Sequence, residues 1–139
     1  MAKTVRDVMN PDPVALGADQ PVMEAARVMS ERHIGSVVVM DQNKPCGIVT
    51  DRDITVRAVA KGADTKSLKL SDICSKSLAT VRPDQSVEDA INLMKSKDVK
   101  RIVVMSDSRL EGIVSLGDLT AQGQAGDVQQ DLSRSRPNG

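Results

Sequence analysis

The chain has 139 residues, and its 19 Lys plus Arg balance 19 Asp plus Glu, so its formal charge is zero. With 40% apolar and 27% charged residues it has the makeup of a globular protein with a core, and its neutrality argues against wholesale binding to nucleic acid or an anionic membrane. It contains no Phe, Tyr or Trp, which excludes aromatic platforms for single-stranded nucleic acid and aromatic cages for cations.

In chain order, the opening residues Met1 to Asp7 show no apolar h-region, and a short helical turn is expected from Thr4 to Met9. A brief extended segment near Val14 to Leu16 follows. An amphipathic helix comes next: Pro21 suits its first turn, and Val22, Ala25, Ala26 and Met29 fall at i, i+3, i+4 and i+7. Ser36 to Met40 is apolar after its first residue, as in a strand buried on both faces. A turn at Asp41 to Pro45 leads to a second strand at Ile48-Val49, and a helix runs from about Asp51 to about Lys61. The same order then recurs. A helical turn is expected at Leu70 to Cys74 and an extended segment at Ala79 to Val81. Ser86 with Asp89 resembles a capping box ahead of a helix whose stripe is Val87, Ala90, Ile91 and Met94. Strands at Arg101 to Met105 and Ile113-Val114 flank a turn at Ser106 to Leu110, and a last helix begins at about Leu116. No apolar run approaches the roughly 20 residues that span a bilayer, so the expectation is a cytoplasmic protein with no membrane partner.

The recurrence is a duplication. Sliding the chain by 65 residues lays Val5–Thr55 over Leu70–Thr120 without a gap, with 14 identities in 51 positions. Chance would give about three or four at such a composition. Each copy reads β-α-β-β-α. The expected organisation is a first repeat over 1–62, a linker over 63–69, a second repeat over 70–122 and a disordered polar tail over 123–139. One repeat of about 55 residues buries too little surface to stand alone, so the two are expected to form one domain of mixed α and β elements, packed sheet against sheet.

The chemistry concentrates in Gly47-Ile48-Val49-Thr50-Asp51-Arg52-Asp53 and Gly112-Ile113-Val114-Ser115-Leu116-Gly117-Asp118. Each is Gly, two apolar residues, Thr or Ser, two free positions and Asp. The hydroxyl residue can cap the next helix, and the Asp lies in that helix's first turn, where the dipole favours a carboxylate. An ionised Asp is an acceptor that can hold two vicinal hydroxyls, as a ribose requires, and the hydroxyl with the helix N–H groups suits a phosphate. Taken alone, these residues leave the structural and the ligand-binding roles open.

This duplicated pattern resembles a CBS domain pair, or Bateman module, over residues 4 to about 121. It is most similar to short bacterial proteins that consist of such a pair, including the hypoxic-response type; Arg6-Asp7-Val8-Met9 and Gly47 to Ile54 carry that likeness. The resemblance implies a regulatory protein, not an enzyme, with clefts between the paired repeats for AMP, ADP, ATP or another adenosyl ligand and no required cofactor. Asp53 and Asp118 would hold ribose hydroxyls, and Thr50 and Ser115 would touch ribose or phosphate. Adenine would lie against Ile34 and Val99 and against backbone near Val14 and Val81. Lys100 and Arg101 match a basic pair that reaches phosphates, whereas the first repeat has Gly35 and Ser36 there. Arg52 and Arg57 compensate only if they point inward. The resemblance also implies a homodimer formed through helix faces; the alternative function is a protein-interaction or oligomerisation module with vestigial ligand sites, acting on an unidentified protein target.

The remaining reactive side chains give no catalytic constellation. Cys46 and Cys74 match no metal or redox spacing and read as buried or half-buried thiols, with a disulfide or redox switch as the alternative. His33, the only histidine, ends a helix, where a dipole contact is expected rather than a metal or catalytic role.

Overall fold

The computed structural model describes residues 3–75 and 78–121, the side chains of Thr120 and Ala121 excepted; the tail expected at 123–139 lies outside the described residues. The first repeat contains β1 (Ala15–Gly17), α2 (Val22–Arg32), β2 (Ser36–Asp41), β3 (Lys44–Thr50) and α3 (Asp51–Ile54), which continues as a π-helical turn over Thr55–Val59. The second contains β4 (Thr80–Val81), α5 (Val87–Lys97), β5 (Arg101–Ser106), β6 (Arg109–Ser115) and α6 (Leu116–Ala121). Short helices precede each: α1 (Val5–Val8) and α4 (Leu70–Ile73). The fold is mixed α+β, with two three-stranded sheets of order β1-β2-β3 and β4-β5-β6. In each, the first pair is parallel and the second antiparallel.

The hairpins are tighter and the last strands longer than the sequence pattern suggests. Gln42 and Asn43, both at positive φ, form a two-residue turn between β2 and β3. Pairing then extends through Pro45 because a bulge absorbs the irregularity: Val39 faces Gly47 and Met40 faces Pro45, which leaves Cys46 as the extra residue. Glu111 is the extra residue at the same place in the second sheet. Helices α2 and α5 each bury a stripe, Val22, Ala25 and Met29 in one and Val87, Ala90 and Met94 in the other. Ala26, expected in the first stripe, is exposed. The methionines are core residues, and Ser86 Oγ accepts the Asp89 N–H at 3.0 Å. Both helices end in a left-handed residue, His33 (φ 56°) and Asp98 (φ 52°), which turns the chain into the following strand.

The chain divides into two compact units that do not coincide with the sequence repeats. One is Val14–Leu78; the other joins the segment up to Pro13 to the chain from Ala79 onward. Helix α1, which precedes the first repeat in sequence, therefore packs with the second, and α4 packs with the first. Val5 and Val8 are buried among Ala90, Met94, Ile102 and Val114. Val5 N–H bonds to the Gln85 carbonyl at 2.8 Å, and Asn10 pairs with Ile113 on β6. In the other unit Leu70 and Ile73 join Val22, Ala25, Val39 and Val49, and Ser75 pairs with Ile48 on β3. The two helical turns carry the same Asp at matching positions, Asp7 and Asp72, so the shared pattern does not tell which sheet each will join.

This docking explains the glycine that opens each motif. A Cβ at Gly112 would lie 2.6 Å from the Asn10 carbonyl oxygen and 2.7 Å from Met9 Sδ. At Gly47 it would collide with the Ser75 carbonyl oxygen and stand 2.9 Å from Cys74 Sγ. The glycines thus admit a neighbouring backbone. Gly47→Ala and Gly112→Ala should each lower the unfolding free energy by about 1–3 kcal/mol through overpacking. The measurement is a thermal melt followed by circular dichroism, and an unchanged midpoint would show that the docked segment can move aside.

Candidate ligand site

At the end of β3 the backbone turns directly into α3, and Thr50 and Asp53 cap that turn reciprocally. Thr50 N–H donates to Asp53 Oδ2 at 2.9 Å, and Asp53 N–H donates to Thr50 Oγ1 at 3.1 Å. The second repeat reproduces this: Ser115 N–H to Asp118 Oδ2 at 2.9 Å and Asp118 N–H to Ser115 Oγ at 3.1 Å. The cap uses one carboxylate oxygen and fixes the direction of the other.

Capping alone does not account for the placement. Asp7 and Asp72 accept backbone N–H groups in the same way at α1 and α4, from Thr4 at 2.9 Å and Lys69 at 3.0 Å. The Thr4 N–H, aided by the Thr4 hydroxyl, holds the Asp7 carboxyl below its ordinary pKa. Asp7 is exposed and Asp53 is half-buried, as is Asp118. A cap does not require a carboxylate to give up solvent, so the shielding of the two at the strand ends goes beyond what capping needs.

The strand ladder sets the flanking residues. Ser36 lies opposite Thr50, and Arg101 lies opposite Ser115. Opposed residues share a sheet face, and their neighbours Val37, Val49, Ile102 and Val114 occupy the other face in the helix-covered cores. Immediately before these residues, Gly35 carbonyl accepts the Asp51 N–H at 3.0 Å and Lys100 carbonyl accepts the Leu116 N–H at 2.8 Å. Ile34 and Val99, just after the left-handed caps, are half-buried against their clusters. Thus Ile34, Thr50 and Asp53 occur in one unit, and Val99, Lys100, Arg101, Ser115 and Asp118 in the other.

Val14 and Val81 are not counterparts. The Val14 carbonyl accepts from Val38 N–H at 2.9 Å, and the matching carbonyl in the second repeat is that of Ala79, bonded to Val103 N–H at 3.0 Å. Val81 pairs with Val104 as Leu16 pairs with Val39, and its side chain is buried in the core. Two further residues stand beside the turn: Arg57, the cation expected to compensate only if it pointed inward, and Asp51, which the pattern leaves as a free position. Arg57 lies on the π-helical turn with its Nε 3.7 Å from Asp53 Oδ1, and its Nη1 donates to the Ile73 carbonyl at 3.2 Å. Asp51 stands beside Gly35, where its Oδ2 would be 3.4 Å from a Cβ. The i, i+4 spacing of Asp53 and Arg57 could have flagged the first; the second depends on the cross-strand backbone bond.

A duplicated β-α-β-β-α unit, with a hydroxyl–carboxylate box where its last strand enters a helix, defines a tandem module of one known class. The CBS domain model matches residues 5–59 and 70–122, and the chain belongs to that family. It is 34% identical over 116 residues to the CBS domain-containing protein YhcV of Bacillus subtilis, covering 84% of this chain and 82% of that protein. It is 32% identical over 117 residues to Hypoxic response protein 1 of Mycobacterium tuberculosis, again covering 84% and 82%. The crystal structure of Hypoxic Response Protein I with two coordinated zinc ions superposes with a TM-score of 0.74 at 30% identity, covering 86% of this chain and 98% of that one. A hexameric CBS-CP12 protein from bloom-forming cyanobacteria superposes at 0.81 and 26% identity, covering 91% and 75%. Among the described residues no helix is long and apolar enough to cross a membrane.

The cap and the ligand role of Asp118 are separable. Asp118→Ala should cost about 1 kcal/mol of stability through the lost bond to Ser115 N–H, while Asp118→Asn, whose amide oxygen can still accept, should retain most of it. Comparing their melts by circular dichroism checks this; equal losses would show that the charge, not the acceptor, stabilises the turn.

Proposed function

We propose that this chain is a regulatory module that binds adenosine nucleotides through the turn at the end of β3 and of β6, and that it acts by binding rather than by turnover. The observation that carries this reading is the pair of half-buried aspartates, each with one oxygen fixed by its own cap and the other oriented by it. That is the acceptor geometry vicinal ribose hydroxyls need. Ile34 and Val99 supply aliphatic surface for a base, as a chain without aromatic residues requires. The carbonyls of Val14 and Ala79 are engaged by the sheet with one lone pair each, which leaves an acceptor direction for an exocyclic amine. Cytoplasmic residence fits such a ligand.

The two turns differ in charge, and the second is the better phosphate site. Lys100 and Arg101 are half-buried beside Ser115, whereas the first repeat has Gly35 and Ser36. A charge-assisted bond to phosphate is worth roughly 1.5–3 kcal/mol, or about ten- to hundredfold in affinity. In calorimetric titrations Asp118→Ala should therefore weaken AMP binding more than Asp53→Ala, and Arg101→Ala should weaken AMP but spare adenosine. If Asp53→Ala is the more damaging, or Arg101→Ala weakens both ligands alike, the charge argument fails. Native mass spectrometry of the freshly purified chain would show a retained nucleotide by its mass.

A protein-interaction role has one observation in its favour. Met23, Val56 and Val59 are large apolar residues left 40%, 42% and 62% exposed, all in the unit of the first repeat. We propose that the chain forms a homodimer, and the hexameric relative shows that proteins of this fold self-associate. Light scattering at micromolar concentration should give twice the chain mass of 14.9 kDa; a monomer would overturn this.

A further inference from the structure

The two candidate turns share one backbone and carry opposite charge, and the residue responsible is Asp51. In the first unit the bond from Asp51 N–H to the Gly35 carbonyl joins the start of α3 to the residue before β2; in the second the bond from Leu116 N–H to the Lys100 carbonyl does the same for α6 and β5. The ladder then sets Ser36 against Thr50 and Arg101 against Ser115. So the four positions bracketing the turn are Gly35, Ser36, Thr50 and Asp51 in one repeat and Lys100, Arg101, Ser115 and Leu116 in the other. At neutral pH they sum to one negative charge against two positive ones. Gly35 has no side chain, and the Asp51 carboxylate occupies the space beside it. The cation nearest in the first repeat, Arg57, faces Asp53 Oδ1 and the Ile73 carbonyl. Arg52, next to Asp51, is exposed.

A nucleoside held by the second oxygen of Asp53 or Asp118 would direct its 5′ substituent toward those bracketing groups. In the second repeat those groups include the side chains of Lys100 and Arg101. In the first they include the Asp51 carboxylate, and the ribose acceptor is already shared with Arg57. Like charges at such separations repel with energies that survive partial screening. We infer that Asp51 is a specificity-determining residue: the first repeat selects adenosine derivatives whose 5′ group bears no net negative charge, such as the free nucleoside or a 5′-sulfonium, while the second takes phosphorylated ones. The chain would then report on two chemically different adenosyl ligands rather than on one ligand twice. This rests on the adenosine-binding reading above.

The test is calorimetric titration of the full chain with adenosine, AMP and S-adenosylmethionine, in the wild type and in a chain whose second site is disabled by Asp118→Ala, with Asp118→Asn as the variant that keeps the cap. With the second site disabled, adenosine and S-adenosylmethionine should bind roughly tenfold or more tightly than AMP. Adding Asp51→Leu, the residue of the second repeat, should close most of that gap by strengthening AMP alone, and Asp51→Asn should do so in part. AMP binding as tightly as adenosine in the disabled chain, or a ratio that Asp51→Leu leaves unchanged, would overturn the role of Asp51 while leaving adenosine binding intact. A wild-type chain that binds none of the three would overturn the adenosine-binding reading itself, and this inference with it.

Discussion

The geometry of both units depends on the close approach of a foreign backbone to one glycine. At Gly47 and Gly112 a neighbouring segment lies where a Cβ would be, and two-way backbone bonds join it to the next residue, Ile48 or Ile113. Those bonds satisfy the outer edge of β3 and β6, which would otherwise present unpaired groups. They also hold the strand shortly before its end, so the Thr50 or Ser115 turn projects from a fixed base. A turn closed by one hydroxyl and one carboxylate has little means of holding its own shape; here the sheet edge holds it.

Much of this is legible in the sequence because the governing patterns are local. The helix stripes, the apolar strands and the Thr/Ser-x-x-Asp box each arise from spacing within about ten residues, and the duplication doubles the signal. The box in particular appears in the structure with both of its hydrogen bonds in both copies. The illegible part depends on contacts between distant segments. Nothing local distinguishes α1 from α4, so their exchange between units cannot be read from either. The residue pattern puts the strand boundaries too close together because Pro45 and its neighbours look like turn residues, yet a bulge at Cys46 lets pairing continue past them.

The glycine in the motif has a structural reason of its own. Its place ahead of the hydroxyl residue gives it no evident role in the sequence alone. In the structure another stretch of the same chain approaches it. The part of the motif to which we assign ligand binding is its last four residues, and the glycine supports them at one remove. A substitution there would alter binding only by way of the strand.

Duplication gives two sites with one geometry, and their capacity to differ is set by the positions that are free to diverge. The cap is not free: losing the hydroxyl or the carboxylate exposes backbone N–H groups at the head of a short helix. The docking glycine is not free either, because a carbonyl oxygen occupies its Cβ position. The side chains at Gly35 and Lys100, at Ser36 and Arg101 and at Asp51 are freer, since the Asp51–Gly35 and Leu116–Lys100 bonds are made by main-chain atoms, although Leu116 itself is buried in its core. Charge is therefore the property most easily altered at this site without disturbing the fold, and it is at these positions that the two repeats carry opposite charge.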